Sequence, residues 1–161
     1  MDDFTPDPIE EGLWLGRAPR TPEEYALLRD LGVSDVLTLQ TEEEARSIGV
    51  RPDISFRLAL HHGLREHRLP IEDLSPRDLA SEGPRAVLRL MELRARGRSV
   101  YVHCAVGLHR SPTIVAAYLA VQRGLGGPEA CERVRQAHPS QPDEAVVASI
   151  VRELRGRAQS P

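Results

Sequence analysis

The chain contains no lysine, and all 21 of its basic residues are arginine, a bias read here as compositional. Aromatic residues are scarce at 4%, which argues against a dedicated stacking platform for nucleic acid or sugar. Neither charge dominates: 24 acidic and 21 basic side chains leave a net charge of −3, so no bulk attraction to nucleic acid or an anionic membrane is implied. Any anion must therefore be bound by a local site. No apolar run approaches the roughly 18 residues of a membrane-spanning helix, and no charged-then-apolar leader opens the chain. Only Cys104 and Cys131 carry thiols, 27 residues apart, so a disulfide framework is excluded and a reducing cytoplasm is the simplest compartment. Internal repeats and linkers are also missing.

What is present is enough for one domain. A chain of 161 residues with 40% apolar and 28% charged side chains buries roughly two-thirds of its unfolded surface without a metal or disulfide staple. We expect a single domain over residues 1–161, with its compact part over about 12–155 and short polar tails.

Helix and strand signals alternate along it. Leu13-Trp14-Leu15 reads as a short strand. Thr21-Pro22-Glu23-Glu24 then supplies an N-cap, a proline at the first helical position and a capping-box glutamate, for a helix running to Leu31 and stopped by Gly32. Val33 to Leu39 reads as a buried strand. The alternation of Phe56, Leu58 and Leu60 with Arg57 and Ala59, and the segment Arg68-Leu69-Pro70-Ile71, predict one or two further strands. Pro84 is read as opening a helix that carries Val87, Leu90, Met91 and Leu93 and stops at Gly97. The strand Val100-Tyr101-Val102 follows. Residues 112–123 are apolar on every side, as in a helix packed inside the domain, and two more helices are expected near 128–138 and 142–155. The fold class is α/β, with a central sheet of about five strands flanked by helices.

The chemistry gathers in Val102-His103-Cys104-Ala105-Val106-Gly107-Leu108-His109-Arg110-Ser111-Pro112, between a buried strand and a buried helix. A loop wrapped at a helix N-terminus directs several N–H groups and the positive end of the helix dipole into one concavity, which suits the oxygens of a phosphate. A cysteine at the base of that concavity is favoured as thiolate and is a candidate nucleophile. Arg110, six positions on, offers a planar fork for two phosphate oxygens. Gly107 lets the loop turn with no Cβ in the anion's way, and the Ser111 hydroxyl is placed to hydrogen-bond the departing sulfur. The remaining loop positions, Ala105, Val106, Leu108 and His109, are expected to contribute their backbone.

This Cys-x5-Arg-Ser loop, preceded by Val-His, resembles the signature of the protein-tyrosine phosphatase superfamily, in particular its small dual-specificity branch. Gly12-Leu13-Trp14-Leu15-Gly16, the Gly32-Val33 entry into a strand and Pro70-Ile71-x-Asp73 are similar to further landmarks, so the resemblance covers nearly the whole chain. It implies phosphate transfer to Cys104, with His103 as a buried support for the loop. The family places a general-acid aspartate about thirty residues before the cysteine, and Asp73 lies 31 before Cys104. Asp78 and Glu72 are the competing carboxylates. Leu39-Gln40, Asp78-Leu79 and Tyr101-Val102-His103-Cys104 are also similar to the glucan phosphatases, although those have Ala and Gly where this loop has Val106 and His109.

The resulting expectation is a cysteine-dependent phosphomonoester hydrolase acting on a phosphorylated protein or a small phosphomonoester. It needs no cofactor and no metal, and neither nucleic acid nor membrane as partner. The alternatives are a phosphate-binding module without turnover, a phosphatase for phosphoglucan or inositol phosphate, and a cysteine-loop protein handling sulfur or arsenate. His61, His62 and His67 are read as a solvated loop, Cys131 as a buried thiol, Trp14 as core and His109 as a neighbour of the site. The activated thiol of Cys104 is expected to be reversibly oxidised by peroxide.

Overall fold

In the computed structural model, which describes residues 3–159, five strands form one sheet: β1 (Asp7–Glu10), β2 (Leu13–Gly16), β3 (Asp35–Thr38), β4 (Arg65–Arg68) and β5 (Val100–His103). Their order is β1-β2-β5-β3-β4. β1 is antiparallel to β2 and every other pairing is parallel. The helices are α1 (Pro22–Asp30), α2 (Glu42–Ser47), α3 (Pro52–His61), α4 (Pro76–Ala95), α5 (Arg110–Arg123), α6 (Gly127–Ala137) and α7 (Glu144–Ala158).

Strand alternation decides which layer each side chain joins. Leu13, Leu15, Leu37, Leu39, Val100 and Val102 enter the larger core, closed by α4, α5, α6 and α7. Val36 and Tyr101 point the other way, into a smaller core with Tyr25, Leu28, Ala59 and Leu64, and Trp14 packs half-buried against its edge. Residues 110–120 of α5 are all buried, as its apolar pattern predicts. In α1 both halves of the capping box are present, with Pro22 at the start, and Gly32 takes a φ of +88° just beyond the helix.

Four sequence expectations are corrected. Residues 52–61 are a helix rather than a strand. The alternation at Phe56, Leu58 and Leu60 is too short to outweigh Pro52 and Asp53 in the first turn, and Phe56 and Leu60 end up exposed. Pro84 does not open its helix: α4 starts at Ser75-Pro76 and runs through the proline. Gly83 and Pro84 are buried where α7 approaches, and a Cβ on Gly83 would overlap Ile150 Cδ1, so interhelical packing offsets the hydrogen bond that Pro84 forfeits. Asp7–Glu10 is an edge strand, although it falls in a stretch read as a polar tail, because antiparallel pairing with β2 satisfies its backbone. His67 is no loop residue: it lies on β4, half-buried, with Nε2 2.7 Å from Asp35 Oδ2.

Parallel pairing brings the carboxyl ends of β2, β5, β3 and β4 to one edge of the sheet, where Gly16, His103, Thr38 and Arg68 lie in register. Close packing there depends on glycine. A Cβ on Gly16 would overlap the Tyr101 hydroxyl oxygen, which donates to Arg17 O at 2.6 Å in the buried interior. Gly16→Ala should displace Tyr101 and destabilise the fold by about 2 kcal/mol through lost hydrogen bonding and overpacking, read as a lower denaturant midpoint at unchanged slope.

Candidate active site

The loop that leaves β5 at His103 and enters α5 at Arg110 sits at this carboxyl edge. Its shape follows from where its carbonyls point. Cys104 O lies 2.9 Å from His103 Nδ1, Ala105 O accepts from Ala18 N at 3.1 Å and Gly107 O lies 2.8 Å from His138 Nε2. Leu108 O accepts from Gln141 N at 2.8 Å, and His109 O accepts from Thr113 N at 3.0 Å and Thr113 Oγ1 at 2.6 Å. With these carbonyls held by the scaffold, the amides of Ala105 to His109 donate to no protein group among the described residues. Gly107 has a φ of +76°, and a Cβ there would come 2.9 Å from Gly16 C, so any other residue would push the loop off β2.

Cys104 is 2% exposed, with Sγ 3.2 Å from Ser111 Oγ. His103 is buried behind it. Burial outweighs its hydrogen bond to the Cys104 carbonyl and lowers its pKa, so the imidazole is neutral. Its Nδ1 donates to Cys104 O, its Nε2 lies 3.0 Å from Thr38 Oγ1, and that hydroxyl is also 3.0 Å from Glu66 Oε1, which accepts from Arg68 Nε at 3.1 Å.

Arg110, 3% exposed, gives one edge of its guanidinium to Glu44: Nη1 donates to Oε1 at 2.9 Å and Nη2 to Oε2 at 2.7 Å, with Nη1 also donating to Ile71 O at 2.9 Å. Burial opposes the charge, but the Glu44 hydrogen bonds prevail and raise the pKa of the group above its ordinary value. The other edge is different. Nε is buried and has no hydrogen-bond partner among the described residues, and it lies 3.4 Å from Asp73 Oδ1.

Beside Arg110 opens a cavity of about 220 Å3 lined by Glu72, Asp73, Leu74, Ser75, Pro76, Leu79, His109 and Asp143. Of its carboxylates, Asp143 accepts from Val146 N at 3.0 Å as the cap of α7, and Asp78 nearby accepts from Glu72 N at 2.7 Å. Asp73 is exposed and tied only to Arg110 among the contacts described, which favours it over Asp78. His109 is half-buried, with Nδ1 3.2 Å from Gln141 O at the cavity rim. Cys131 is fully buried in α6, and burial raises its pKa.

A family model, "Dual specificity phosphatase, catalytic domain", matches residues 13–151. The chain belongs to that family. It is 34% identical to laforin of Mus musculus over 122 residues, covering 69% of this chain and 37% of laforin. It is 31% identical to dual specificity protein phosphatase 12 of Homo sapiens over 131 residues, covering 81% and 36% of the two chains. The chain thus spans about a third of the length of these curated relatives. Among solved structures it is similar to PTPMT1, with a TM-score of 0.76 and 25% identity over 96% of this chain and 98% of that one. PTPMT1 has also been solved in complex with PI(5)P, with a TM-score of 0.74 and 26% identity over 93% and 96%.

The dual-specificity phosphatase loop was legible as a motif, and Asp73 as the candidate acid that the family resemblance implies. Glu44, Asp7 and His138 were not. Glu44 sits in an acidic run at the start of α2 that reads as a solvated face. His138 follows the end of α6, where no local pattern ties it to a loop thirty residues earlier.

Proposed function

We propose that this chain is a cysteine-dependent phosphomonoester hydrolase working through a phosphocysteine on Cys104, and that residues 1–161 act as one domain. The observation that carries the reading is the gathering of Cys104 with Ser111, and of Arg110 with Asp73, at a loop whose amides donate to no protein group among the described residues. The Cys104 thiolate attacks phosphorus in line. The loop amides and the Nε edge of Arg110 take the equatorial oxygens, while the breaking P–O bond sends its electron pair to the leaving oxygen, which Asp73 protonates. Asp73, now a carboxylate, takes a proton from water. The water oxygen attacks phosphorus, the P–S bond breaks, and Ser111 Oγ–H supports the departing sulfur. Atoms and charge balance with no further reactant.

The substrate we favour carries a single phosphate, on a protein side chain or a small molecule. Glu72, Asp73 and Asp143 wall the leaving-group side of the cavity, and the variable loop positions Ala105, Val106, Leu108 and His109 include no lysine or arginine to meet a second phosphate. A singly phosphorylated inositol headgroup fits the same limit, and the complex of PTPMT1 with PI(5)P favours keeping it beside phosphoproteins. No described helix is long and apolar enough to cross a membrane. The reducing cytoplasmic setting we favour rests on the two cysteines, both free.

The test is hydrolysis of para-nitrophenyl phosphate in EDTA by the wild type and by Asp73→Asn. The wild type should turn over, and Asp73→Asn should fall about 100-fold, more for alkyl phosphates whose leaving oxygen needs the proton more. Phosphate binding without wild-type turnover would favour the module reading instead.

A further inference from the structure

The carbonyls of Cys104, Ala105, Gly107, Leu108 and His109 are each held by a donor, and most of those donors are backbone or neighbouring residues. Gly107 is the exception. Its carbonyl, 2.8 Å from His138 Nε2, is held by a side chain from beyond α6, and His138 Nδ1 lies 2.6 Å from Asp7 Oδ2 on the edge strand β1. Gly107 O has no proton to give, so Nε2 must be the donor. That leaves Nδ1 and the Asp7 carboxylate sharing one further proton across a short, charge-assisted contact.

Resting on the reading of the loop as a phosphate site, we propose that His138 and Asp7 are positioning residues that hold the Gly107 peptide with its carbonyl turned out and its neighbours' amides toward the phosphate. His138 is 9% exposed, whereas Asp7 is half-buried at the edge of the sheet. Without the His138 donor, Gly107 O keeps no partner in the described structure. Glycine, with φ at +76°, then has the freedom to rotate the peptide and swing its carbonyl toward the anion. A carbonyl oxygen in the concavity repels phosphate oxygens that the amides would otherwise bind. The arrangement also gives β1 a function: the antiparallel edge strand brings Asp7 to the back of the loop.

Two amide substitutions separate the nitrogens of the ring. His138→Gln places its amide near the position of Nε2 and can still donate to Gly107 O, whereas His138→Asn mimics Nδ1 and reaches only Asp7. Inorganic phosphate binding is measured by titration calorimetry in the Cys104→Ser protein, so turnover is not required. His138→Asn should bind about tenfold more weakly than its parent, His138→Gln within about threefold, and Asp7→Asn between them. With Cys104 intact, kcat/KM for para-nitrophenyl phosphate should follow the same order. Asn and Gln variants that bind phosphate alike, whether as the parent does or equally weakened, overturn the assignment. Should His138→Asn fail to fold, Asp7→Asn decides: weaker phosphate binding at an unchanged melting temperature supports the pair, and unchanged binding refutes it. A parent that binds no phosphate overturns the functional reading together with the pair, whereas a parent that binds and turns over beside unaffected variants overturns the pair alone.

Discussion

Cys104→Ser should lose at least about 10^4-fold in turnover of para-nitrophenyl phosphate while still binding inorganic phosphate. The expectation follows from the division of labour in the loop. In the proposed mechanism, binding comes from the loop amides, whose carbonyls are fastened to Ala18, His138, Gln141 and Thr113, and from Arg110. None of these groups depends on the sulfur. Bond making does depend on it, because a serine hydroxyl in the same place must lose its proton before it can attack, and the nearest imidazole cannot take it. His103 already commits Nδ1 to the Cys104 carbonyl and Nε2 to Thr38. Rapid acid quench of the wild type should trap phosphate on the protein, and the serine variant should trap none. A serine variant with turnover close to wild type would remove Cys104 from the mechanism.

Arg110→Lys should cost about 10^2- to 10^3-fold in kcat/KM, most of it in kcat. A guanidinium serves two masters here. Its Nη1/Nη2 edge is spent on Glu44 and Ile71 O, and its Nε edge is turned toward Asp73 and the cavity. An ammonium has fewer donors and no planar second edge, so it can satisfy Glu44 or meet transition-state oxygens, but not both in the required directions. Removing Glu44's demand should not restore the rate, because the missing geometry is on the phosphate side. Steady-state kinetics of Arg110→Lys with and without Glu44→Gln check this, and recovery in the double variant would show that lysine's defect is only the unpaired carboxylate.

Much of this protein is written locally. The capping box at Thr21 and Glu24 and the uninterrupted apolar pattern of α5 form as read because their signals lie within a turn or two of the residues they govern. The Cys-x5-Arg-Ser spacing is local as a motif, although Ala18, His138 and Gln141 from elsewhere in the chain fasten the loop it describes. Asp73 was reachable only through the family resemblance, which implies an acid about thirty residues before the cysteine, and the structure adds that Asp78 accepts from the Glu72 amide.

Other features had no local signature. β4 reads Arg-Glu-His-Arg and is a strand because β3 pairs with it, while residues 52–61 are a helix despite a strand-like alternation. β1 exists only through β2, and Pro84 is tolerated only because α7 packs against the bend-prone turn. The sequence by itself determined the α/β class, set by hydrophobic periodicity and capping signals, and its Cys-x5-Arg loop and family resemblance named the candidate nucleophile, arginine and acid. Tertiary structure alone decided that Glu44 would meet Arg110 and that Asp7 would meet His138 behind Gly107, since contacts across 66, 131 and 31 residues arise only when the sheet, its antiparallel edge strand and the helices around it have packed together.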